Sequence, residues 1–149
     1  MNTLRRHLPT AARLFLGLAF TAFGLNFFLH FIPMPPPPPR ALTAIGGLLA
    51  TGWLMPLAHV TELVGGLLLL SGLFVPLALA LLAPVLVNIL AFHLLVSPAG
   101  LALPVALLAA EIVLARAHRA AFAPMLHART PLPAVDHGRP ASRELHAAA

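Results

Sequence analysis

Four long apolar runs constrain the fold more than any other feature of the chain. They cover about residues 11–32, 56–73, 77–96 and 101–117. An α-helix rises about 1.5 Å per residue, so roughly 17–25 consecutive apolar residues cross the hydrocarbon core of a bilayer. We therefore expect the chain to fold in lipid, as a group of membrane-spanning helices.

The charge content supports a membrane environment. Only 9% of the 149 residues are charged and 60% are hydrophobic, whereas a soluble domain carries about 25% charged residues. The net charge of +5 does not indicate nucleic-acid binding, because the arginines lie at the ends of the apolar runs, where they orient a membrane protein. The chain contains no cysteine, which excludes a disulfide, a thiol nucleophile and an iron–sulfur cluster held by its own thiolates.

The segments between the runs complete the predicted fold. Residues 33–40 are mostly proline, which predicts a stiff extended loop, and residues 41–55 are apolar but too short to span. The fold class is therefore all-α: a four-helix transmembrane bundle with a short interfacial helix between spans 1 and 2. We place the membrane domain at residues 1–120 and a disordered cytoplasmic tail at residues 121–149, where apolar periodicity is lost.

The distribution of arginine predicts the orientation. Cytoplasmic loops carry an excess of basic residues. Arginines at or before the start of the first run, and at or after the end of the fourth, far outnumber the single one in between, Arg40. They are Arg5, Arg6 and Arg13, then Arg116, Arg119, Arg129, Arg139 and Arg143. Both termini are therefore predicted to be cytoplasmic, so that the proline loop faces outward.

With this orientation, three spans place polar side chains at a similar depth near the outer side. These are Asn26 and His30, then His59 and Glu62, then Asn88 and His93. An ionisable group in a membrane helix costs about 2.5–3.5 kcal/mol on insertion scales, so it needs a partner or a function. We predict that the six residues form one ligand-binding pocket, in which Glu62 exchanges a proton or accepts a hydrogen bond.

Other interpretations of these residues stay open. Glu62 is equally well explained as a buried carboxyl that only fixes helix register, alone or paired with a histidine. The three histidines could instead be partly hydrated residues at the membrane–water interface. Two histidines could ligate haem, and His30, His59 and Glu62 could hold a metal ion, but the spacing is diagnostic of neither, and no metal site is predicted.

A second glutamate, Glu111, lies deep in the fourth run and toward the cytoplasmic side. Arg13 begins the first run on the same side. An ion pair between them would neutralise both charges, so we predict a structural Arg13–Glu111 pair rather than a catalytic role for Glu111.

Several motifs resemble the DoxX family of small four-span bacterial membrane proteins. They are Arg13-x-x-x-Gly17-Leu18 with Phe23-Gly24, then Pro56 and Thr61-Glu62-x-x-Gly65-Gly66-x-Leu68 with Gly72, then Pro84, Asn88 and His93. The resemblance covers about residues 8–122. The chain departs from it at Asn26, because some members carry a lysine near the end of the first helix.

The resemblance implies a multi-pass protein of the bacterial inner membrane, associated with quinone-coupled oxidation. It favours a small redox-associated subunit that binds a hydrophobic ligand such as a quinone. The chain shows no redox motif or intrinsic cofactor of its own, so electrons would come from a redox protein partner, and a homo-oligomer is also compatible with the sequence. The alternatives are a transporter of a small solute or proton, and a structural or assembly subunit of a membrane complex.

Overall fold

The computed structural model of the chain describes residues 2–128. Its six α-helices are α1 (Asn2–Leu29), α2 (Pro39–Ala50), α3 (Leu54–Ser71), α4 (Val75–Leu95), α5 (Ala102–Ala117) and α6 (Arg119–Phe122). Two short 3-10 helices cover Pro98–Gly100 and Ala123–Leu126. The described residues form helices and no strand, which confirms the all-α prediction.

Three of these helices are long and apolar enough to cross a membrane. They are His7–Leu29 within α1, the whole of α3, and the whole of α4. The helix α5 has 16 residues, which is short of the 17–25 or so that a span needs. The fourth span and the interfacial position of α2 therefore stay predictions.

The helix α2 follows the proline-rich segment. It begins at Pro39, because proline is well suited to the first turn of a helix, where its missing amide hydrogen is not needed. It ends at Ala50, just before Gly52, whose φ of 77° is a left-handed conformation that glycine adopts without strain. Ala41 is the buried residue of α2, and the helix contacts α3.

The turn predicted between the second and third runs is present. Gly72 ends α3 with a φ of 74°, and its amide donates to the Leu69 carbonyl at 3.2 Å. Pro76 lies in the first turn of α4, which begins at Val75. The chain therefore reverses between α3 and α4 within three residues, 72–74.

The four main helices pack in a closed ring of neighbours. The helix α1 contacts α3 and α5, and α4 contacts the same two helices. Leucine side chains fill the space between them, because leucine is both apolar and compatible with a helix. The largest fully buried side chains are Leu16, Leu69, Leu82, Leu86 and Leu114.

The end of the membrane domain differs from the prediction. Disorder was expected from residue 121, but the chain continues in helical turns to Leu126. Phe122 packs against the hydrophobic core, which gives α6 a fixed position. The remainder of the predicted tail, residues 129–149, lies outside the described residues.

Candidate functional site

Small residues bring α1 and α3 into backbone contact. A Cβ added at Gly24 would lie 2.9 Å from the His59 carbonyl oxygen, and one added at Gly66 would lie 2.6 Å from the Thr21 amide nitrogen. Glycines allow this approach because they carry no side chain. The contact fixes the face of α3 that carries His59 and Glu62 against α1, and we call it the α1–α3 interface.

His59 and Glu62 form a hydrogen-bonded pair at this interface. The distance between His59 Nδ1 and Glu62 Oε2 is 2.8 Å. The two residues are three apart in α3, a spacing that places side chains on one face of a helix. Glu62 is 5% exposed, and the His59 side chain is 19% exposed. The carboxyl group is therefore buried, while the imidazole ring stays partly accessible.

An aromatic ring of α1 covers the imidazole. The Phe27 and His59 rings stack with centroids 4.3 Å apart and planes 21° apart. Phe27 also contacts Phe28 edge-on at 5.0 Å. Phe27 was not among the predicted site residues. It lies three residues after Gly24, on the face that contacts α3, so the position of that glycine was a usable signal.

The two polar residues at the end of α1 have other roles. Asn26 Oδ1 accepts a hydrogen bond from the Ile32 amide at 2.6 Å, which ties the end of α1 to the following loop. His30 is exposed and has a φ of 52°, outside the helical region. Within residues 2–128, neither side chain forms a hydrogen bond with His59 or Glu62.

The two polar residues of α4 bond to their own helix. Asn88 is exposed, and its Nδ2 donates to the Pro84 carbonyl at 2.9 Å. His93 Nδ1 donates to the Ile89 carbonyl at 2.8 Å. The structure thus brings two of the six predicted residues, His59 and Glu62, into direct contact. A single pocket shared by all six stays a prediction.

Arg13 and Glu111 do not meet in the predicted ion pair. Arg13 Nη1 donates instead to the carbonyls of Leu69 and Leu70, at 2.5 and 3.1 Å. These carbonyls belong to the last turn of α3, where the helix dipole favours a cation. In the described part of the chain, His59–Glu62 is the one contact between oppositely ionisable side chains within 4.0 Å.

Glu111 is buried in α5. It is 7% exposed, and its Oε1 has no hydrogen-bond partner among residues 2–128. It lines an open groove of about 300 Å³ that we call the α4–α5 groove. The other walls of this groove are apolar and include Leu79, Ala80, Ala83, Ile112 and Phe122. A second groove, of about 340 Å³, is lined by Arg13, Thr10 and His118 among others. Glu62 lines neither groove.

Comparison with known proteins identifies the family. A family model described as DoxX matches residues 8–98, from α1 to the 3-10 helix after α4. The match ends before α5, so it is shorter than the resemblance over residues 8–122. No curated protein and no solved structure matches the chain. Because the family model covers more than half of the 149 residues, the chain belongs to the DoxX family.

Proposed function

We propose that this multi-pass membrane protein binds a hydrophobic ligand with a hydrogen-bonding head group, such as a quinone, at the His59–Glu62 pair. The observation that carries the proposal is the 2.8 Å contact between a buried carboxyl and a partly exposed imidazole. A polar pair of this kind is expensive in a membrane helix, and ionisable residues there mark functional sites by default.

The pair can serve both forms of a quinone. Glu62 engages Nδ1 of the imidazole, which leaves Nε2 for an external partner. A neutral ring with its proton on Nδ1 accepts at Nε2, as a quinol hydroxyl requires. A protonated ring donates at Nε2, as a quinone carbonyl requires, and Glu62 then supplies the counter-charge. Moving one proton therefore adapts the site to either form.

The surroundings of the pair suit a flat apolar ring. Phe27 stacks on His59 and holds the imidazole plane. Aromatic side chains bind other rings in stacked or edge-on geometry, with a gain of about 0.5–1.5 kcal/mol beyond burial. The His59 side chain is 19% exposed, so the edge of its ring is open to an apolar molecule in the bilayer.

A redox role is part of the proposal. Quinone-linked proteins exchange electrons as well as protons, and the sequence carries no cysteine that could hold an iron–sulfur cluster. In this account the chain supplies the binding site and the proton-exchanging pair, and a redox protein partner supplies the electrons.

The orientation is also part of the proposal. Arginine at both ends of the membrane domain supports a bacterial inner-membrane protein with both termini in the cytoplasm. The chain has no native cysteine, so single cysteines report without background. We expect Ser97→Cys to react with a membrane-impermeant maleimide in intact spheroplasts, and His127→Cys to react only after lysis. The opposite pattern would reverse the orientation.

A structural role is the second candidate, and a specific observation favours it. The α1–α3 interface is closely packed, and Glu62 lines neither of the two grooves. In that case the pair serves to fix the register of α3 against α1. Ligand binding distinguishes the two functions, because substitutions in a purely structural pair would change stability and leave ligand affinity unchanged.

Equilibrium binding of decylubiquinone to the protein in nanodiscs tests the proposal. Removing one charge-assisted hydrogen bond costs about 1.5–3 kcal/mol, so we expect Glu62→Gln and His59→Phe to weaken binding by roughly 10- to 100-fold. Glu111→Gln is the matched control, since it changes the other buried glutamate, and it should leave the affinity unchanged. Unaltered affinity in folded Glu62→Gln and His59→Phe proteins would contradict the proposal and leave the structural role.

A further inference from the structure

We propose that the α4–α5 groove is a second binding site, for a hydrophobic molecule that carries one hydrogen-bond donor, such as a lipophilic phenol or alcohol. The groove is separate from the His59–Glu62 pair, since neither residue lines it. Two independent observations carry the proposal: an open groove between two helices, and a buried carboxyl in its lining whose Oε1 has no hydrogen-bond partner among residues 2–128.

The size and walls of the groove define the body of the ligand. A volume of about 300 Å³ lies at the lower end of the range for small-molecule sites and corresponds to roughly ten water molecules. The walls come from small and branched apolar side chains, including Ala80, Ala83 and Ile112, and Phe122 of α6 adds an aromatic ring. Such walls favour an apolar body by the hydrophobic effect and by dispersion.

Glu111 defines the head group. It is 7% exposed and contributes the one ionisable side chain of the lining, and its Oε1 has no partner in the described chain. A buried polar atom without a hydrogen bond costs about 1–3 kcal/mol. A carboxyl oxygen accepts hydrogen bonds, and the terminal torsion of glutamate is soft, so in this proposal a rotation turns one oxygen toward the groove when a donor binds. A ligand with a hydroxyl group therefore recovers the missing bond.

Other occupants account for these features less well. A water molecule is well held only where two to four polar groups surround it, and this groove offers a single one. A lipid acyl chain would cover the apolar walls but has no donor for Glu111. A bound metal ion is also disfavoured, because no cluster of three metal-ligating side chains occurs in the described residues.

Competition between two matched probes tests the proposal. A photoreactive alkylphenol is crosslinked to the protein in nanodiscs, and the labelled residues are located by tandem mass spectrometry. The competitors are 4-nonylphenol and nonylbenzene, which share the apolar body and differ in the hydroxyl group. We expect the probe to label residues of α4 and α5 that line the groove. We also expect the phenol to compete about tenfold more strongly than the hydrocarbon, because one recovered hydrogen bond increases affinity by about that factor.

Variants assign the effect to the groove. Glu111→Leu should bring the two competitors to within about twofold of each other, whereas Glu111→Gln, which keeps an acceptor, should preserve the preference. Ala83→Phe should fill the groove and abolish labelling. Ala106→Phe is the control, since Ala106 is exposed on α5 but does not line the groove.

Three results would overturn the proposal. One is equal competition by the phenol and the hydrocarbon in the unmodified protein. Another is labelling that survives Ala83→Phe. The third is a dimer that Ala83→Phe disrupts while no probe binds to the groove, which would make a second copy of the chain its occupant. None of these results depends on quinone binding at His59 and Glu62.

Discussion

The α1–α3 interface and the α4–α5 groove each contain a buried glutamate, yet they treat it differently. Glu62 has a histidine at 2.8 Å, supplied by its own helix, and lies where glycines bring two backbones together. Glu111 is buried to a similar extent but lacks a partner for Oε1 within residues 2–128, and it lines an open groove. Burial alone therefore does not define the role of a membrane carboxyl. The nearest hydrogen-bonding group and the space beside it do.

The largest expected effect comes from closing the space at the α1–α3 interface. A Cβ in Gly66→Ala would lie 2.5 Å from Thr21 Oγ1 and 2.6 Å from the Thr21 amide nitrogen, so the helices must separate. We expect the free energy of unfolding to fall by about 2–3 kcal/mol, measured by far-UV circular dichroism during titration with SDS.

The control for this variant is Gly47→Ala in α2, where an added Cβ meets nothing within 4 Å. Here alanine should stabilise the helix by up to about 1 kcal/mol, because glycine loses more backbone freedom on folding. Equal effects of the two substitutions would show that the close approach of α1 and α3 does not exist.

The next effect concerns Arg13, whose guanidinium binds carbonyls at the end of α3 and does not pair with Glu111. Arg13→Gln removes the charge-assisted bonds to the carbonyls of Leu69 and Leu70, so we expect a loss of about 1.5–3 kcal/mol in the same unfolding titration. Arg40→Gln, in an exposed position, should change stability by no more than about 0.5 kcal/mol. A comparable loss in both variants would argue for a general effect of basic charge.

Substitution of the two glutamates by leucine sharpens the comparison directly. Glu62→Leu deprives His59 of its partner and should destabilise the protein by about 1–2 kcal/mol. Glu111→Leu removes a buried carboxyl whose Oε1 has no hydrogen bond within residues 2–128, so it should be neutral or stabilising by about 1 kcal/mol. Thermal unfolding of both variants in one detergent gives the sign of each effect. If Glu111→Leu destabilised the protein and Glu62→Leu did not, Glu111 and not Glu62 would be the glutamate with a stabilising partner.

The smallest effect is expected in the α4–α5 groove. Ala83 is exposed, so Ala83→Phe should alter the free energy of unfolding by less than about 0.5 kcal/mol, although it fills the groove. The same assay is used as for Gly66→Ala. A large loss of stability would mean that the groove is part of the packed core.

Local sequence signals predicted the elements well. The proline-rich loop, the turn at Gly72 and the three long apolar helices follow from backbone chemistry and hydropathy, which act over a few residues. The contact between His59 and Glu62 also follows from local spacing, because residues three apart share a helix face. A carboxyl paired with a histidine was one of the interpretations of Glu62.

Contacts between separate helices were harder to predict. Periodicity shows which face of α1 or α5 is apolar, but it does not set the height of one helix against another. Arg13 was therefore assigned to Glu111, while the structure places its guanidinium at the end of α3. Asn26 was assigned to the pocket, and its side chain accepts a hydrogen bond from the Ile32 amide, in a loop whose path no periodic pattern specifies.

A pair of double-mutant cycles tests the central claim most directly: Glu62 is bonded to its own helix, and Glu111 is not bonded to Arg13. Combining His59→Phe with Glu62→Leu should reveal a coupling free energy of about 1–3 kcal/mol, because the two side chains share a hydrogen bond. Combining Arg13→Gln with Glu111→Leu should give additive effects, within about 0.5 kcal/mol. Additivity in the first cycle, or strong coupling in the second, would contradict the account.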